Sequence, residues 1–332
     1  MRFASTAVLA LACLVATLAP ATSASAADEA FPVSGRTITL LVPYGAGGMV
    51  DVMGRTLARH WDDKWGTKTV VLNKPGANGQ LAYNEMLRQK PDGYTIAFTQ
   101  AFDTQMSYLD ADATAPYSRS SFIPVGLTQR TPAPWVVRAD SPIRTAQDFL
   151  DAVKAQPGKI NMGSPAARGP AILYAQALQD KLGVTVNVVP FNDVPSTINA
   201  LLGGHIDIAT ANAAVALPHI KAGRLRAVMV GGSKTLKYFP DAVSSVSAGF
   251  NIPDFSNTGL AVAKGTPPAV VQAWSAMLKE IAANPELRNQ MDQAGVNLDY
   301  VTPEEYARLW IETEESVSKV LVRVAGKART PN

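Results

Sequence analysis

The sequence contains very little cysteine and histidine, with one Cys and three His among 332 residues. A single cysteine cannot form an intramolecular disulfide, and so few thiols and imidazoles do not supply the ligands of a structural zinc site. His60, His205 and His219 also have no nucleophile or metal ligand at a useful spacing in the sequence. We therefore expect neither a metal nor a cofactor.

Charge of one sign is also scarce. Only 17% of the residues are charged, the formal net charge is +3, and no run of five or six like charges occurs. This pattern excludes a basic nucleic-acid-binding surface. The hydrophobic fraction of 47% excludes a disordered chain. At roughly 100–200 residues per domain, the length predicts two folded domains.

Long hydrophobic runs are missing after the N-terminus. The uncharged run from Ala7 to Ala19 is shorter than the ~20 residues that a spanning helix needs. Arg2 precedes it, and the small residues Ala24-Ser25-Ala26 follow it, which is the pattern of an export signal with cleavage after Ala26. We predict that residues 1–26 are a signal peptide and that the mature protein is soluble and periplasmic. Cleavage would remove the single cysteine, Cys13, and lower the formal charge to +2.

Short β-branched runs alternate with helical periods, which predicts an α/β fold with largely parallel sheets. The predicted strands are Ile38–Val42, Thr69–Leu72, Thr95–Phe98, Trp135–Arg138, Ile160–Met162, Thr185–Val189, Ile206–Ala209, Arg226–Val230 and Gly259–Ala263. The i, i+4 spacing of Met53, Leu57, Trp61 and Trp65 predicts a helix. Two further helices are predicted from Pro268 and from Pro303, and we expect this helical tail to pack back on the rest.

A glycine turn, Tyr44-Gly45-Ala46-Gly47-Gly48, joins the first predicted strand to the first predicted helix. Glycines let the backbone approach a ligand closely, and the first N–H groups of a helix favour an anion. The turn is not a phosphate-binding loop, because no Gly-Lys-Ser/Thr follows, and it lacks the third glycine of the dinucleotide fingerprint. It either binds an anion or only shapes a strand–helix junction.

Two similar turns occur after other predicted strands, at 73–80 and at 162–170. The carboxyl ends of parallel strands meet at one edge of a sheet, where α/β proteins bind ligands. The joint occurrence of three such turns favours a ligand site over a purely structural role.

Several short motifs follow one another in an informative order. They are Val42-Pro43-Tyr44-x-x-Gly47-Gly48-x-x-Asp51, Asn73-Lys74-Pro75-Gly76-Ala77-x-Gly79, Pro91-Asp92-Gly93-Tyr94-Thr95, Leu201-Leu202-Gly203-Gly204-x-Ile206-Asp207 and Leu217-Pro218-His219-Ile220-Lys221-Ala222-Gly223. In order and spacing they resemble the Bug-type extracytoplasmic solute receptors, the substrate-binding components of tripartite tricarboxylate transporters. The resemblance runs from about Ile38 to the C-terminal predicted helix.

The resemblance implies a two-lobed type II periplasmic binding protein (Venus-flytrap) fold with a ligand cleft between the lobes. Lobe 1 is expected to comprise residues 27–131 and 234–332, and lobe 2 residues 132–233. The resemblance further implies a monomer without cofactor or catalytic residues. This monomer is expected to bind a small organic carboxylate and deliver it to integral membrane transporter subunits. The ligand-binding positions carried over are Tyr44, Gly47, Gly48, Asp51, Gly76, Ala77, Gly79, Ser164, Ala167, Arg168, Gly169, Phe191, Asp193 and Asn212.

The chain departs from the family pattern in lobe 2, at Ala166 and Arg168 and at Phe191-Asn192-Asp193-Val194. The planar guanidinium of Arg168 suits a bidentate pair with a ligand carboxylate. The alternative is that Arg168 is solvated or pairs with Asp193. Tyr44 and Phe191 likewise either form apolar walls of the ligand site or belong to the cores of the lobes.

Other functions remain open from the sequence alone. One is an exported α/β enzyme acting on a carboxylated metabolite, and another is a receptor that senses its ligand instead of transporting it. A nucleotide-dependent oxidoreductase is disfavoured because both nucleotide fingerprints fail.

Overall fold

The structure is a computed structural model that describes residues 31–112, 115–130, 132–165, 171–191, 193–232, 235–249 and 257–325. The predicted signal peptide therefore lies outside the described residues. None of the described helices is both long and apolar enough to pass through a bilayer.

Strands and helices alternate along the described chain. The strands are β1 (Thr37–Val42), β2 (Lys68–Asn73), β3 (Thr95–Gln100), β4 (Phe122–Arg130), β5 (Pro134–Arg138), β6 (Asn161–Ser164), β7 (Asn187–Pro190), β8 (Ile208–Thr210), β9 (Leu225–Val230), β10 (Val243–Ser244), β11 (Asn257–Ala263) and β12 (Leu298–Val301). The α-helices are α1 (Met49–Trp65), α2 (Gln80–Arg88), α3 (Asp103–Leu109), α4 (Ala146–Ala155), α5 (Ala171–Leu182), α6 (Val194–Leu202), α7 (Ala213–Lys221), α8 (Pro268–Ala283), α9 (Pro285–Gln293) and α10 (Pro303–Ala325).

The strands form two six-stranded sheets, in the orders β12-β4-β11-β3-β1-β2 and β10-β9-β5-β8-β6-β7. We call the first sheet with its helices the first lobe, and the second sheet with its helices the second lobe. Only residues 131–133 separate β4 of the first sheet from β5 of the second. A short connection between these two strands therefore joins the lobes.

The prediction of largely parallel sheets is wrong, because both sheets are mixed. β1 runs parallel to β2 and β3, but β11 runs antiparallel to β3 and β4. In the second sheet β6 runs parallel to β7 and β8, and β5 runs antiparallel to β8 and β9. The chain leaves the first sheet along β4 and returns along β11, so these neighbouring strands must run in opposite directions.

Both faces of the first sheet are covered. Ile38, Leu40 and Val42 pack in one core cluster and Leu41 packs in another, and all four are fully buried. Because side chains alternate along a strand, this arrangement places helices on both faces and accounts for the continuous apolar run of β1.

The helix predicted from the spacing of Met53, Leu57, Trp61 and Trp65 is confirmed as α1. The first three of these side chains are fully buried against the sheet. The Trp61 indole packs edge-on against Trp274 of α8, with ring centroids 4.9 Å apart. This contact ties the N-terminal helix to the C-terminal part of the same lobe.

The predicted helical tail is also confirmed. α8 and α10 begin at Pro268 and Pro303, and α10 contacts β4 and α3 of the first lobe and α5 of the second. α9, which begins at Pro285 between them, was not predicted from the sequence. The tail therefore packs on both lobes.

Candidate functional site

A cavity of about 820 Å³ opens between the two lobes. The first lobe contributes Tyr44, Gly45, Ala46, Gly47, Gly48, Met49, Val50, Val52, Gln100, Ala101, Asp103, Ala294 and Val296. The second lobe and the connection to it contribute Ala133, Pro165, Tyr174, Asp193, Val194, Pro195, Thr210, Ala211, Asn212, Ala214 and Val215. Five of the predicted site residues thus lie on one cavity: Tyr44, Gly47, Gly48, Asp193 and Asn212.

The first glycine turn forms part of the cavity wall. Gly47 has a positive φ of 78°, which an L side chain rarely adopts, and an added Cβ there would meet no atom within 4 Å. Gly48 is the N-cap of α1 and provides no side-chain cap. The first-turn N–H groups of α1 have no partner inside the helix, and Met49 and Val50, which begin it, line the cavity.

Asp51 lies behind this turn instead of on the cavity. It is 3% exposed. It accepts hydrogen bonds from Gly47 N at 2.8 Å, Arg55 Nε at 3.1 Å and Asn73 Nδ2 at 2.9 Å. Burial by itself raises the pKa of Asp51, but the hydrogen bonds from Arg55, Gly47 and Asn73 together lower it below its usual value. Asp51 is therefore an ionised carboxylate that fixes the shape of the glycine turn.

Asn73, at the end of β2, has a second role in the same network. Its Nδ2 also lies 3.1 Å from the carbonyl oxygen of Tyr44, to which it donates. Its amide thus connects the end of β2 to Tyr44, at the start of the glycine turn, and to Asp51, which holds Gly47 N.

Asp103 is a cavity residue that sequence reasoning missed. It is half-buried at the start of α3, and its Oδ2 accepts a hydrogen bond of 2.9 Å from Tyr44 Oη. Burial raises the pKa of Asp103 to about 6, although the bond from Tyr44 opposes this shift. One feature of the sequence could have indicated Asp103. It lies three residues after Gln100, where β3 ends at the same edge of the sheet as β1.

The residue before Asp103, Phe102, has a backbone conformation that is rare for a residue other than glycine. Phe102, the N-cap of α3, has a φ of 78°. A non-glycine residue in this region is strained and persists only where the surrounding structure holds it. The Phe102 N–H donates to Gln105 Oε1 at 3.0 Å, and the Phe102 side chain is 3% exposed. The strained turn places Asp103 on the cavity.

The second predicted glycine turn does not line the cavity. Gly76, Ala77 and Gly79 all have positive φ values, of 129°, 48° and 90°. An added Cβ at Gly79 would lie 2.7 Å from the Tyr83 ring. These contacts show that the residues form a tight turn packed against α2. Their role in ligand binding stays a prediction.

The third predicted turn is described only at its beginning. Ser164 is fully buried at the end of β6 and does not line the cavity, whereas the next residue, Pro165, does. Ala167, Arg168 and Gly169 lie outside the described residues. The hypothesis that Arg168 pairs with a ligand carboxylate therefore remains a prediction.

The remaining predicted residues of the second lobe occupy different positions. Asp193 is the N-cap of α6, and its Oδ1 accepts a hydrogen bond of 2.7 Å from Ser196 N. Hydrogen bonds from Ser196 lower the pKa of Asp193. Asn212 is the N-cap of α7 and provides no side-chain cap. Phe191 does not line the cavity and packs against the core of the second lobe.

The cavity wall is acidic in the part of the chain that the structure describes. Asp103 and Asp193 line it, and no Lys, Arg or His of the described residues does so. Within the same residues, no three His, Cys, Asp or Glu side chains come together as a metal site. The described site thus offers two carboxylates, neutral polar side chains such as Gln100, Thr210 and Asn212, and apolar walls.

Comparison with known proteins identifies the family. The sequence matches the model of the tripartite tricarboxylate transporter family receptor over residues 53–326. The UPF0065 protein in gbd 5'region from Cupriavidus necator is 31% identical over 306 residues, which are 92% of each chain. A TctC solute binding protein from Polaromonas, solved without ligand, is 29% identical, with a TM-score of 0.74 over 87% of this chain and 99% of that one.

A further solved structure shows the fold alone. MatC from Rhodopseudomonas palustris, with bound malate, is 24% identical, with a TM-score of 0.70 over 88% of this chain and 100% of that one. The two-lobed α/β fold predicted from the sequence is therefore confirmed, as is the resemblance to Bug-type receptors. The protein is a solute-binding receptor and not an enzyme. With the family model spanning most of its length, the chain belongs to the tripartite tricarboxylate transporter receptor family.

Proposed function

We propose that this receptor binds a small organic carboxylate between its lobes in the periplasm and delivers it to integral membrane transporter subunits. The observation that carries the proposal is the cavity of about 820 Å³, which is lined from both lobes and faces the beginning of α1. Pockets of ~300–1,000 Å³ are typical of small-molecule sites. Membership of a family named for tricarboxylate transport supports the ligand class.

The carboxylate of the ligand lies, in this proposal, at the glycine turn. Residues at the beginnings of α1 and α7 line the cavity, and the beginning of a helix carries the positive end of its dipole, which favours an anion. Asp51 and Asn73 act behind the turn as positioning residues, because they hold Gly47 N and the Tyr44 carbonyl. Tyr44 and Met49 supply wall surface for the hydrocarbon part.

Arg168 provides a second carboxylate contact in this proposal. It follows Pro165, which lines the cavity, by three residues in the chain. Arg168→Ala is expected to weaken carboxylate binding, whereas Arg144→Ala, which lies before α4 on the second lobe, is expected not to. Equal affinities of wild type and Arg168→Ala for the carboxylate would show that Arg168 does not contact the ligand.

The remaining features follow the same proposal. Residues 1–26 are removed on export, and the mature receptor is a monomer. Because β10 (Val243–Ser244) pairs with β9 in the second sheet, the second lobe extends beyond its expected end at residue 233. The mass of the exported protein tests the cleavage site. Light scattering after gel filtration tests the monomer.

A thermal-shift screen tests the ligand class. The mature protein is heated with mono-, di- and tricarboxylates and, as matched controls, with neutral amides or alcohols of the same carbon skeleton. A ligand present at 100 times its Kd stabilises the folded state by about 2.7 kcal/mol. We expect carboxylates to raise the Tm and their neutral counterparts not to. A rise with neutral compounds alone would contradict the proposal.

A further inference from the structure

The Asp103 carboxylate has an unused hydrogen-bonding side. Its Oδ2 accepts the bond of 2.9 Å from Tyr44 Oη, and its Oδ1 accepts no hydrogen bond from any described residue. Both Asp103 and Tyr44 line the cavity. A carboxylate oxygen accepts about two hydrogen bonds, so Asp103 presents a free acceptor to whatever occupies the cleft.

This acceptor is held in place. The Tyr44 hydroxyl fixes one carboxylate oxygen, and the strained Phe102 turn fixes the backbone immediately before Asp103. A functional group whose own orientation is locked by its neighbours is suited to recognise one feature of a ligand.

The charge distribution of the cavity indicates which chemical group of a ligand Asp103 recognises. Among the lining residues that the structure describes, Asp103 and Asp193 are carboxylates and none is cationic. Arg168 is assigned above to a carboxylate of the ligand, so it does not neutralise Asp103 in this arrangement. A ligand carrying only carboxylates brings another negative charge towards Asp103, and like charges at short range repel. A ligand that also carries a protonated amine places a positive charge and a donor at that position, and charge-assisted hydrogen bonds are the strong ones.

From this geometry we infer that Asp103 accepts a hydrogen bond from a protonated amine of the ligand, so that the receptor selects amino-substituted carboxylates over the corresponding plain carboxylates. The inference rests on the proposed carboxylate-binding function. The ligand then lies with its carboxylate at the beginnings of α1 and α7 and its ammonium group at Asp103. Tyr44 acts as the positioning residue for Asp103.

Matched ligand pairs test the inference by calorimetric titration of the full mature receptor. The pairs are aspartate with succinate, glutamate with glutarate, and phenylalanine with 3-phenylpropionate. In wild type, the amino member of the bound pair is expected to bind about 10- to 100-fold more tightly. Asp103→Asn keeps the shape and an acceptor for Tyr44 but removes the charge, and it is expected to bring this ratio close to one.

Controls separate recognition from folding. Asp151→Asn removes a charge from an exposed position of α4 and is expected to keep the wild-type ratio. Tyr44→Phe leaves Asp103 unsupported and is expected to lower the ratio only in part. Thermal melts of each variant check that it is folded.

The outcomes distinguish the inference from the proposed function. Plain carboxylates binding as tightly as their amino counterparts, or a ratio that Asp103→Asn leaves unchanged, would overturn the inference and leave carboxylate binding intact. Failure of every member of the three pairs and of the wider carboxylate screen to bind would overturn both.

Discussion

Tyr238 Oη donates a hydrogen bond of 2.6 Å to Asp292 Oδ1, and this contact joins the two lobes. Tyr238 follows β9 and packs with the core of the second lobe, whereas Asp292 lies on α9 of the first lobe. Lys237 pairs with the other oxygen of the same carboxylate. Three residues after Asp292, Gly295 packs directly on the start of α7 in the second lobe. These contacts lie beside Ala294 and Val296 on the cavity wall.

Replacing Asp292 with Ala is expected to let the two lobes move apart. The change removes both the Lys237 and the Tyr238 contact, and because Lys237 is largely exposed we expect a loss of only about 1 kcal/mol in the free energy of unfolding. Small-angle scattering of the ligand-free protein should show a larger radius of gyration. Glu280→Ala breaks an exposed ion pair between α1 and α8 of one lobe and serves as the control. Indistinguishable scattering curves for Asp292→Ala and Glu280→Ala would rule out a role in lobe approach.

Gly295→Ala tests the neighbouring backbone contact. An added Cβ would lie 2.9 Å from Ala214 Cα and 3.0 Å from Ala214 N, so α7 of the second lobe must shift. Gly223 has a similar positive φ of 68°, against 74° at Gly295, but open space around its Cβ position. Both substitutions cost about 1 kcal/mol of backbone strain, and only Gly295→Ala adds about 1–3 kcal/mol of steric conflict. Denaturant unfolding of both variants measures this difference, and equal values would show that the lobes are not pressed together here.

Asp51→Asn is expected to destabilise the receptor by about 2 kcal/mol at neutral pH, because it removes charge-assisted hydrogen bonds from a buried carboxylate. The pKa of Asp51 is lowered on folding, so its contribution is fully present above about pH 4, the pKa of a free aspartate, and is lost as the pH falls through the lower folded value. Unfolding curves of wild type and variant should therefore converge in acid. Asp63→Asn, at an exposed position of the same helix, is the matched control. A constant difference across the pH range would contradict this account of the network.

Gly47→Ala and Gly45→Ala separate backbone conformation from bulk in the glycine turn. Neither added Cβ meets an atom within 4 Å, but only Gly47 has a positive φ. Alanine at Gly47 should cost about 1–2 kcal/mol and displace the N–H groups that face the cavity. We expect weaker carboxylate binding for Gly47→Ala and near wild-type binding for Gly45→Ala, measured by titration. The same affinity in both variants would show that the shape of this turn does not determine binding.

Elements with a clear periodicity were predictable, and elements with breaking residues were not. The i, i+4 spacing of Met53, Leu57 and Trp61 gives α1 directly. β4 was missed because Pro124 and Gly126 interrupt its apolar pattern, and the register between β4 and β11 shifts there. An added Cβ at Gly126 would lie 2.9 Å from the Val301 carbonyl oxygen of β12. Glycine at this position allows three strands to pack closely, which depends on distant residues and not on local sequence.

In the candidate site, too, residues marked by a local motif were predictable, and residues placed by distant contacts were not. The first glycine turn was predictable because positive φ and close approach require glycine, and Gly47 and Gly48 do line the cavity. The second turn has the same composition, but its glycines are explained by packing on Tyr83. Asp103 was missed because no local motif marks it, since its position depends on the strained Phe102 turn and on Tyr44, 59 residues earlier in the chain.

We expect the cleft between the lobes to bind one carboxylate ligand without changing it. Calorimetric titration of the mature receptor with the carboxylate that stabilises it most, followed by spectroscopy of the released ligand, measures this directly. Ala46→Trp places an indole at an exposed position of the cavity wall, and Ala155→Trp places one at the exposed end of α4, away from the cavity. We expect one unchanged ligand per chain for wild type and Ala155→Trp, and at least a tenfold loss of affinity for Ala46→Trp. Wild-type affinity in Ala46→Trp would contradict binding in the cleft, and a chemically altered ligand would contradict binding without reaction.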